Sequence, residues 1–255
     1  MKTDITFFCT SGKIDRKNHN YTNAFKSWKN LGINVVLFGP DDDETKNILD
    51  EYGINWQLEP ELHSDSKLPR LDDLLTMSAN LCKTEYMCYI NCDIIIFDQF
   101  LDTFSFLRKE YNDFFMVGQR WDWYKSNEMN FQNTSVFDFE GKNIVLHAKT
   151  GVDYFVLKKT HLENVFIPPF LVPRSRWDHW FAGVSKRVGI PLVDTTATNI
   201  VVQPEPEQRL PLHNEPYKSE LLYNENLYRH NQGCDISGAN VKTIIDSNKN
   251  IVIAK

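Results

Sequence analysis

The sequence predicts an α/β fold in which helices flank a sheet, and two observations carry that prediction. Short apolar runs of strand length alternate with segments of helical periodicity along the chain. No internal repeat and no low-complexity segment interrupts this alternation. The chain has 255 residues, so one large domain covering residues 1–255 can bury a core without help from a metal or a disulfide.

The first predicted elements follow from apolar runs and from the residues that end them. Residues 5–9 predict a strand that ends in a Thr-Ser-Gly turn, and residues 35–38 predict a second strand, which a Gly-Pro pair stops. Between them, residues 21–31 have helical spacing closed by a glycine. Three aspartates at 41–43 open the next helix, and N-capping explains them better than a metal site does.

The alternation continues through the rest of the chain. A helix is predicted over residues 71–82 and a strongly apolar strand over residues 86–96. The other predicted elements are a helix over 177–188 and strands at 114–117, 151–157, 191–193 and 250–254. Residues 203–216 contain four prolines and many polar residues, which predicts a long irregular segment of the kind that is usually functional or disordered.

Charge and composition argue against several classes of protein. The formal net charge is −6, whereas nucleic-acid binding needs a basic face. The sequence has no Lys/Arg cluster for an anionic membrane, no apolar run of about 18 residues, and an N-terminus that turns polar too early for a signal peptide. Its five cysteines form no CxxC pair, which favours free buried thiols in a reducing compartment. We therefore expect no nucleic-acid partner, no integral membrane segment and a cytoplasmic location.

Asn91 and Asp93 interrupt the most apolar of the predicted strands. A carboxylate at the end of a buried strand costs desolvation free energy unless it is paired. Side chains two apart on a strand point to the same side, and a divalent cation at the carboxyl edge of an α/β sheet is a natural partner for them. Oxygen ligands beside a diphosphate suit Mg²⁺ or Mn²⁺. A strand-ending Asn-Asp turn is the alternative interpretation, and the spacing supports it equally.

The segment from Tyr89 to Ile94 resembles the DxD-type motif of GT-A glycosyltransferases, in its Asn-x-Asp form. Other blocks resemble one GT-A family of microbial, viral and plant proteins, occur in that family's order and cover nearly the whole chain. They are Ser27-Trp28, Phe38-Gly39, Pro69 and residues 117–122, 151–156, 168–170, 174–180 and 191–196. The resemblance implies a GT-A fold, which is a Rossmann-like mixed sheet of the nucleotide-diphospho-sugar transferase type, flanked by helices. It also implies transfer of a sugar from a nucleotide-sugar donor, with UDP-sugars favoured, to a saccharide, protein or lipid-linked acceptor.

The resemblance implies metal ligands as well. Asp93 would bind Mn²⁺ or Mg²⁺, with Asn91 beside it toward the metal or the ribose. GT-A metal sites often take a third ligand from the C-terminal region, where members of this family usually carry a His-Gln-Asn-His-Asp-Tyr-like segment. This chain departs from that pattern, because Gln203 stands where the first His would lie and His213 follows ten residues later. The third ligand is therefore His213, Gln203 or none.

Several residues are expected on the nucleotide side of the site. Thr10, Ser11 and Gly12 follow the first strand and form the expected nucleotide-side loop, although an ordinary turn explains the glycine equally well. Arg70 lies in a segment that the resemblance places near the donor, where it binds phosphate or is simply a surface charge. Arg120, which follows a strand end, is the stronger anion-binding candidate.

Two carboxylates are candidates for the base that an inverting enzyme needs. Asp178 lies between Trp177 and Trp180, where an aromatic wall could hold an acceptor sugar, but its position also suits a helix N-cap. Asp153 opens a predicted strand, and the resemblance places its block beside the donor sugar, where it could instead accept hydrogen bonds from sugar hydroxyls. We prefer Asp153 slightly, and the sequence does not separate inverting from retaining chemistry.

Two other functional classes remain open. A sugar-1-phosphate nucleotidyltransferase shares the nucleotide-binding α/β sheet but needs a Gly-rich loop with a basic residue, whereas the loop after the first strand has the single glycine Gly12. The missing His-Gln block keeps open the less favoured alternative of a catalytically inactive nucleotide- or sugar-binding protein, which metal binding without turnover would identify. A purely structural protein is disfavoured by the polar Asn-x-Asp in a core strand.

Overall fold

The computed structural model describes residues 4–124, 127–131, 144–204 and 214–254. The helices of these residues are α1 (His19–Asn30), α2 (Asp43–Tyr52), α3 (Leu71–Leu81), α4 (Asp98–Glu110), α5 (Trp177–Ala182), α6 (Val184–Val188) and α7 (Tyr217–His230). The strands are β1 (Ile5–Thr10), β2 (Asn34–Gly39), β3 (Asn55–Leu58), β4 (Tyr86–Ile90), β5 (Phe115–Val117), β6 (Trp121–Trp123), β7 (Ile144–Leu146), β8 (Tyr154–Lys158), β9 (Leu192–Asp194), β10 (Val202–Pro204), β11 (Val241–Ile245) and β12 (Ile251–Ala254).

In the described part of the chain, nine strands form one mixed sheet in the order β12-β11-β9-β5-β8-β4-β1-β2-β3. Neighbours from β4 to β3 pair in parallel, β8 runs antiparallel between β4 and β5, and β5, β9 and β11 are again parallel. The carboxyl ends of β1, β2, β4, β5 and β9 therefore meet at one edge, where β8 begins. Ligands of α/β sheets bind at such an edge.

Successive side chains of the central strands enter two different cores, because strand residues alternate between the faces of a sheet. Phe7 on β1 packs into a cluster with Trp28 of α1 and Phe100 of α4. The next residue, Phe8, packs into the cluster on the opposite face, which includes Leu74 of α3 and the two tryptophans of α5. Both faces of the sheet are thus covered by helices, which explains why its central strands are apolar throughout.

A smaller sheet, β10-β6-β7, covers the segment that follows β4. Ile95 and Val202 exchange two backbone hydrogen bonds of 2.8 and 3.0 Å, and both belong to a third apolar cluster with Trp123 of β6. This contact holds β10 against residues that lie far away in the sequence. It places Gln203, the residue after Val202, beside the carboxyl end of β4.

Three sequence predictions need correction. The strand predicted over 86–96 ends at Ile90, because the backbone turns at residues 91–93. The helix predicted over 177–188 is two short helices that break at Gly183, where a Cβ atom would lie 2.6 Å from the Cα of Gly233. The segment predicted to be irregular over 203–216 begins within strand β10, and residues 205–213 lie outside the described part.

The other predicted strands and helices are present within a few residues of their predicted bounds. Asp42 caps α2 as expected, since its carboxylate accepts a hydrogen bond of 2.8 Å from the backbone N–H of Thr45. Within the ranges that the structure describes, the helices are short, and none is both long and apolar enough to cross a bilayer.

Candidate functional site

The turn after β4 places two polar side chains at the carboxyl edge of the large sheet. The backbone N–H of Asn91 donates a 2.9 Å hydrogen bond to the backbone oxygen of Asp153, and the N–H of Ile94 returns to the oxygen of Asn91 at 3.2 Å. The chain therefore leaves the sheet at Asn91, and Asp93 is half-buried at the edge rather than in a strand. Cys92, between them, is half-buried as well.

The hydrogen-bond partner of Asp93 is a neutral side-chain amide rather than a lysine or an arginine. Nε2 of Gln203 donates to Oδ2 of Asp93 at 2.5 Å, across 110 residues of sequence. Burial raises the pKa of Asp93 to about 6, and the Asp153 carboxylate adds to that rise, whereas the Gln203 hydrogen bond and the Arg120 charge oppose it. A carboxylate with such a raised pKa and a single neutral partner is a candidate for a functional role.

The other end of the Gln203 amide is buried and unsatisfied. Gln203 is 8% exposed, and its Oε1 has no hydrogen-bond partner among the described residues. Amide oxygen and nitrogen exchange places by a half-turn, and two oxygens that bind one small cation at adjacent positions lie about 3 Å apart. After such a half-turn, Gln203 Oε1 would take the place of Nε2, which now lies 2.5 Å from Asp93 Oδ2, and a small side-chain movement would widen that separation to about 3 Å. The pair therefore fits a divalent cation, although no three His, Cys, Asp or Glu side chains of the described residues form a metal-binding group.

Asp153 lies directly before the first residue of β8. Its carboxylate contacts residues that follow the two neighbouring strands, β4 and β5. Asp153 is 4% exposed, and its Oδ1 accepts a 2.6 Å hydrogen bond from Nδ2 of Asn91. Nη1 of Arg120 donates to both Asp153 oxygens, at 3.0 and 2.9 Å. Burial disfavours the charge of Arg120, but the carboxylates of Asp153 and Asp122 outweigh it and raise the Arg120 pKa. Two predicted site residues, Asn91 and Arg120, thus both contact a third, Asp153.

Sequence reasoning missed two members of this group, Asp122 on β6 and His147 after β7. Asp122 accepts from Nε of Arg120 at 2.9 Å through Oδ1, and its Oδ2 lies 2.6 Å from Nδ1 of His147. The Arg-x-Asp spacing on a predicted strand end was visible in the sequence and indicated a pair. Nothing in the sequence marks His147, because its contact depends on how β7 pairs with β6.

Asp178 lies in the first turn of α5 and is half-buried. The preceding Trp177 packs edge-on against Tyr89 of β4 at 5.2 Å between ring centroids, which holds the helix start against the strand that ends beside Asp93. Burial raises the pKa of Asp178, and nearby Asp153 raises it further, while His179 opposes the rise. Arg176, with a left-handed φ of 86°, is the N-cap of this helix, so Asp178 is not.

Thr10 is the last residue of β1, and Ser11 and Gly12 follow it at the same edge of the sheet. The side chain of Thr10 and the backbone N–H of Ser11 both donate to the backbone oxygen of Phe38, at 3.1 Å each. The Ser11 hydroxyl is buried without a hydrogen-bond partner in the described structure. A Cβ atom at Gly12 would meet no atom within 4 Å, so the protein itself does not require glycine there.

Arg70 stands apart from these contacts. Arg70 precedes α3 and pairs with Asp72 at 2.5 Å and with Glu61 at 3.2 Å, and its side chain is 28% exposed. Two carboxylates therefore hold its guanidinium in this structure. His213, a predicted metal ligand, lies outside the described residues.

The architecture is shared with solved structures of glycosyltransferases. Glucosyl-3-phosphoglycerate synthase from Mycobacterium tuberculosis, solved with Mn²⁺, UDP and phosphoglyceric acid, matches 98% of this chain and 86% of its own, at 10% identity and a TM-score of 0.51. S. aureus TarS 1–349 in complex with UDP-GlcNAc matches 90% of this chain and 73% of its own, at 12% identity and 0.50. GalNAc-T7 with UDP, GalNAc and Mn²⁺ matches 87% of this chain and 47% of its own, at 10% identity and 0.52.

These likenesses define the fold of the chain. The nine-stranded mixed sheet of the described residues, with helices on both faces, is the GT-A fold of nucleotide-sugar glycosyltransferases. No protein-family model and no curated protein matches the sequence. At 10–12% identity the neighbours show the fold alone.

Proposed function

We propose that the protein is a metal-assisted glycosyltransferase that uses a nucleoside-diphosphate sugar, with UDP-sugars favoured, and a hydroxyl of a saccharide, protein or lipid-linked acceptor. The charge of the candidate site carries this proposal. One guanidinium, that of Arg120, is grouped with four carboxylates, those of Asp93, Asp122, Asp153 and Asp178. Such a site repels a free diphosphate but attracts a divalent cation, which in turn attracts the diphosphate. The UDP, UDP-sugar and Mn²⁺ in the neighbours' structures support the same reading.

Asp93 and Gln203 are the residues that would hold Mn²⁺ or Mg²⁺. Gln203 Nε2 now lies 2.5 Å from Asp93 Oδ2, and a half-turn of the amide would bring the unsatisfied Gln203 Oε1 beside Asp93 Oδ2 as a second oxygen ligand. When held by these residues, a divalent cation would neutralise the negative charge that develops on the leaving diphosphate. Asn91, which Asp153 holds through its amide, faces the same edge and would orient the ribose or the cation.

We propose Asp178 rather than Asp153 as the group that accepts the proton of an acceptor hydroxyl. Both oxygens of Asp153 already accept hydrogen bonds from Arg120, and one also accepts from Asn91. Asp178 accepts a hydrogen bond from the N–H of the adjacent His179 at 2.9 Å, and its raised pKa makes its ionised form a stronger base. We assign the proton to Asp178 and the orientation of the donor sugar to Asp153.

The nucleoside would lie at the ends of β1 and β2, beside Thr10, Ser11 and Gly12. The unsatisfied Ser11 hydroxyl and the open space over Gly12 favour a ligand there. Arg70 remains a candidate for the phosphates, provided that it exchanges its exposed partner Glu61 for the ligand.

Donor binding tests this proposal without requiring the acceptor. The melting temperature is measured with UDP-, GDP- and dTDP-sugars, each with Mn²⁺, with Mg²⁺ and with EDTA. A ligand at a hundred times its Kd stabilises the fold by about 2.7 kcal/mol, which for a chain of this size raises Tm by roughly 5–10 °C. We expect one nucleotide to give that shift with metal and not with EDTA. Equal melting temperatures across the whole panel would contradict the proposal.

A further inference from the structure

Two side chains, those of Asp122 and His147, connect the candidate site to the small sheet. Among the described residues, neither is hydrogen-bonded to the proposed cation ligands themselves. Asp122 is 5% exposed and uses its two oxygens for two different partners. Oδ1 accepts from Nε of Arg120 at 2.9 Å, and Oδ2 lies 2.6 Å from Nδ1 of His147. Nη2 of Arg120 approaches the same imidazole nitrogen at 3.4 Å. The three side chains therefore form a closed group.

The backbone fixes the imidazole in this group. The N–H of His147 donates to the backbone oxygen of Arg120 at 2.9 Å, and the side-chain amide of Gln119 donates to the backbone oxygen of His147 at 2.7 Å. The ring occupies the space over Gly151, where a Cβ atom would lie 2.1 Å from its Cδ2. Any other residue at position 151 would displace the ring.

Arg120 extends this group to the edge where the cation would bind. Its Nη1 contacts both oxygens of Asp153, and Asp153 accepts a hydrogen bond from the side chain of Asn91, the first residue of the turn that carries Asp93. A guanidinium is planar, so a partner on Nε determines the direction of its two Nη groups. Without Asp122, the long Arg120 side chain would be free to pair with Asp93 or with a diphosphate.

We propose that Asp122 and His147 are positioning residues, which hold Arg120 on Asp153 and so set the direction of Asp153 and Asn91 toward the donor. The proposal rests on the proposed function, because it assigns a role in the same site. Outer partners of functional groups typically change metal affinity or activity about ten- to hundredfold when they are lost. The expected signature is a split between the kinetic constants. The turnover number falls, whereas the KM for the donor stays the same or decreases, since a released Arg120 attracts the diphosphate.

The test compares Asp122→Ala with Asp122→Asn and with a matched control. Asparagine keeps an oxygen for Arg120 Nε and offers an N–H to His147 Nδ1, so it should restore much of the activity that alanine loses. The control is Glu220→Ala. Glu220 lies on α7, away from this group, and like Asp122 it is buried, being 4% exposed, and accepts a hydrogen bond from an arginine Nε, that of Arg174 at 2.6 Å. We expect kcat to fall about ten- to hundredfold in Asp122→Ala and to stay unchanged in Glu220→Ala. If Asp122→Ala does not fold, His147→Ala replaces it, because the His147 side chain is 25% exposed and its loss should disturb the core less.

A second readout does not depend on turnover. Cys92 lies within the turn that Asn91 begins, so its alkylation rate reports whether that turn is held. Cys9, Cys82 and Cys88 are buried, and the half-buried Cys234 is replaced by serine in all variants. Alkylation followed by mass spectrometry should be several-fold faster in Asp122→Ala than in the parent or in Glu220→Ala. If alkylation is faster in Asp122→Ala but the parent shows no donor turnover, the positioning role stands and the proposed function is refuted. Equal kcat and equal alkylation in Asp122→Ala and the parent would overturn the positioning role.

Discussion

Replacement of Gln203 by leucine should weaken cation binding while the fold survives. Leucine is close to glutamine in size, so it fills the buried position but supplies no oxygen, and Asp93 loses its amide partner at 2.5 Å. The unfolding free energy should decrease by about 1–3 kcal/mol, which is the cost of leaving a buried polar group unsatisfied. Cation affinity should decrease about ten- to hundredfold, which corresponds to roughly 1.4–2.7 kcal/mol of binding free energy.

Isothermal titration of Mn²⁺ and Mg²⁺ into the protein in the presence of UDP measures this affinity directly, without an acceptor. Gln203→His serves as the matched variant, because it places an imidazole nitrogen where the amide oxygen lies. Oxygen ligands suit Mg²⁺ and Mn²⁺, whereas imidazole favours later transition metals such as Co²⁺ and Ni²⁺. The ratio of Co²⁺ to Mg²⁺ affinity should therefore increase in Gln203→His. Mn²⁺ affinity that is unchanged in Gln203→Leu would show that Gln203 is not a ligand.

Three further predictions concern proton transfer and the core. Asp178→Asn should lower kcat about a hundredfold or more while donor binding persists. Because burial raises the pKa of Asp178, activity in the parent should be lost as the pH falls through that raised pKa, at a higher pH than for an exposed aspartate, and a kcat–pH profile without this limb would contradict the assignment. Leu37→Ala, in the fully buried part of β2, should cost about 2–5 kcal/mol in urea denaturation; a loss below 1 kcal/mol would contradict the packing. Gly118→Ala should lower the unfolding free energy by about 1–3 kcal/mol in the same assay, since the alanine methyl would lie 2.0 Å from the Tyr154 hydroxyl. An unchanged denaturation midpoint would show that β5 and β8 are further apart there.

Seven of the nine described strands of the large sheet were predictable, because each lies in a short apolar run. Strands β3 and β11 were not predicted, because polar residues such as Gln57 and Lys242 interrupt them. The prediction was wrong where apolar character continues past the end of a strand. Ile94, Ile95 and Ile96 are all buried, yet they lie outside β4, because the chain turns after Asn91, where the N–H of Ile94 donates to the backbone oxygen of Asn91. Hydrophobicity reports that a residue is buried and not what it is buried against. The break at Gly183 was invisible for the same reason, since its cause is the approach of Gly233.

The site was predictable in its parts but not in its connections. Asn91, Asp93, Asp153 and Arg120 were each predicted as candidate site residues, and Asn91 and Asp93 follow the end of β4 at Ile90. Their pairing was not predictable, because Arg120 and Asp153 are 33 residues apart and Asp93 and Gln203 are 110 apart. Those contacts arise from the order of strands at the sheet edge and from the docking of the small sheet, which local sequence patterns do not encode.

Nucleotide release from a panel of UDP-, GDP- and dTDP-sugars tests the central claim most directly. The parent protein is assayed with Mn²⁺ and with EDTA, beside Asp93→Ala in the presence of Mn²⁺. Metal-dependent release of one nucleotide, abolished by EDTA and lost in Asp93→Ala, is the result that a metal-assisted nucleotide-sugar glycosyltransferase predicts. No release of any nucleotide from the folded protein, with or without metal and acceptor sugars, would contradict it.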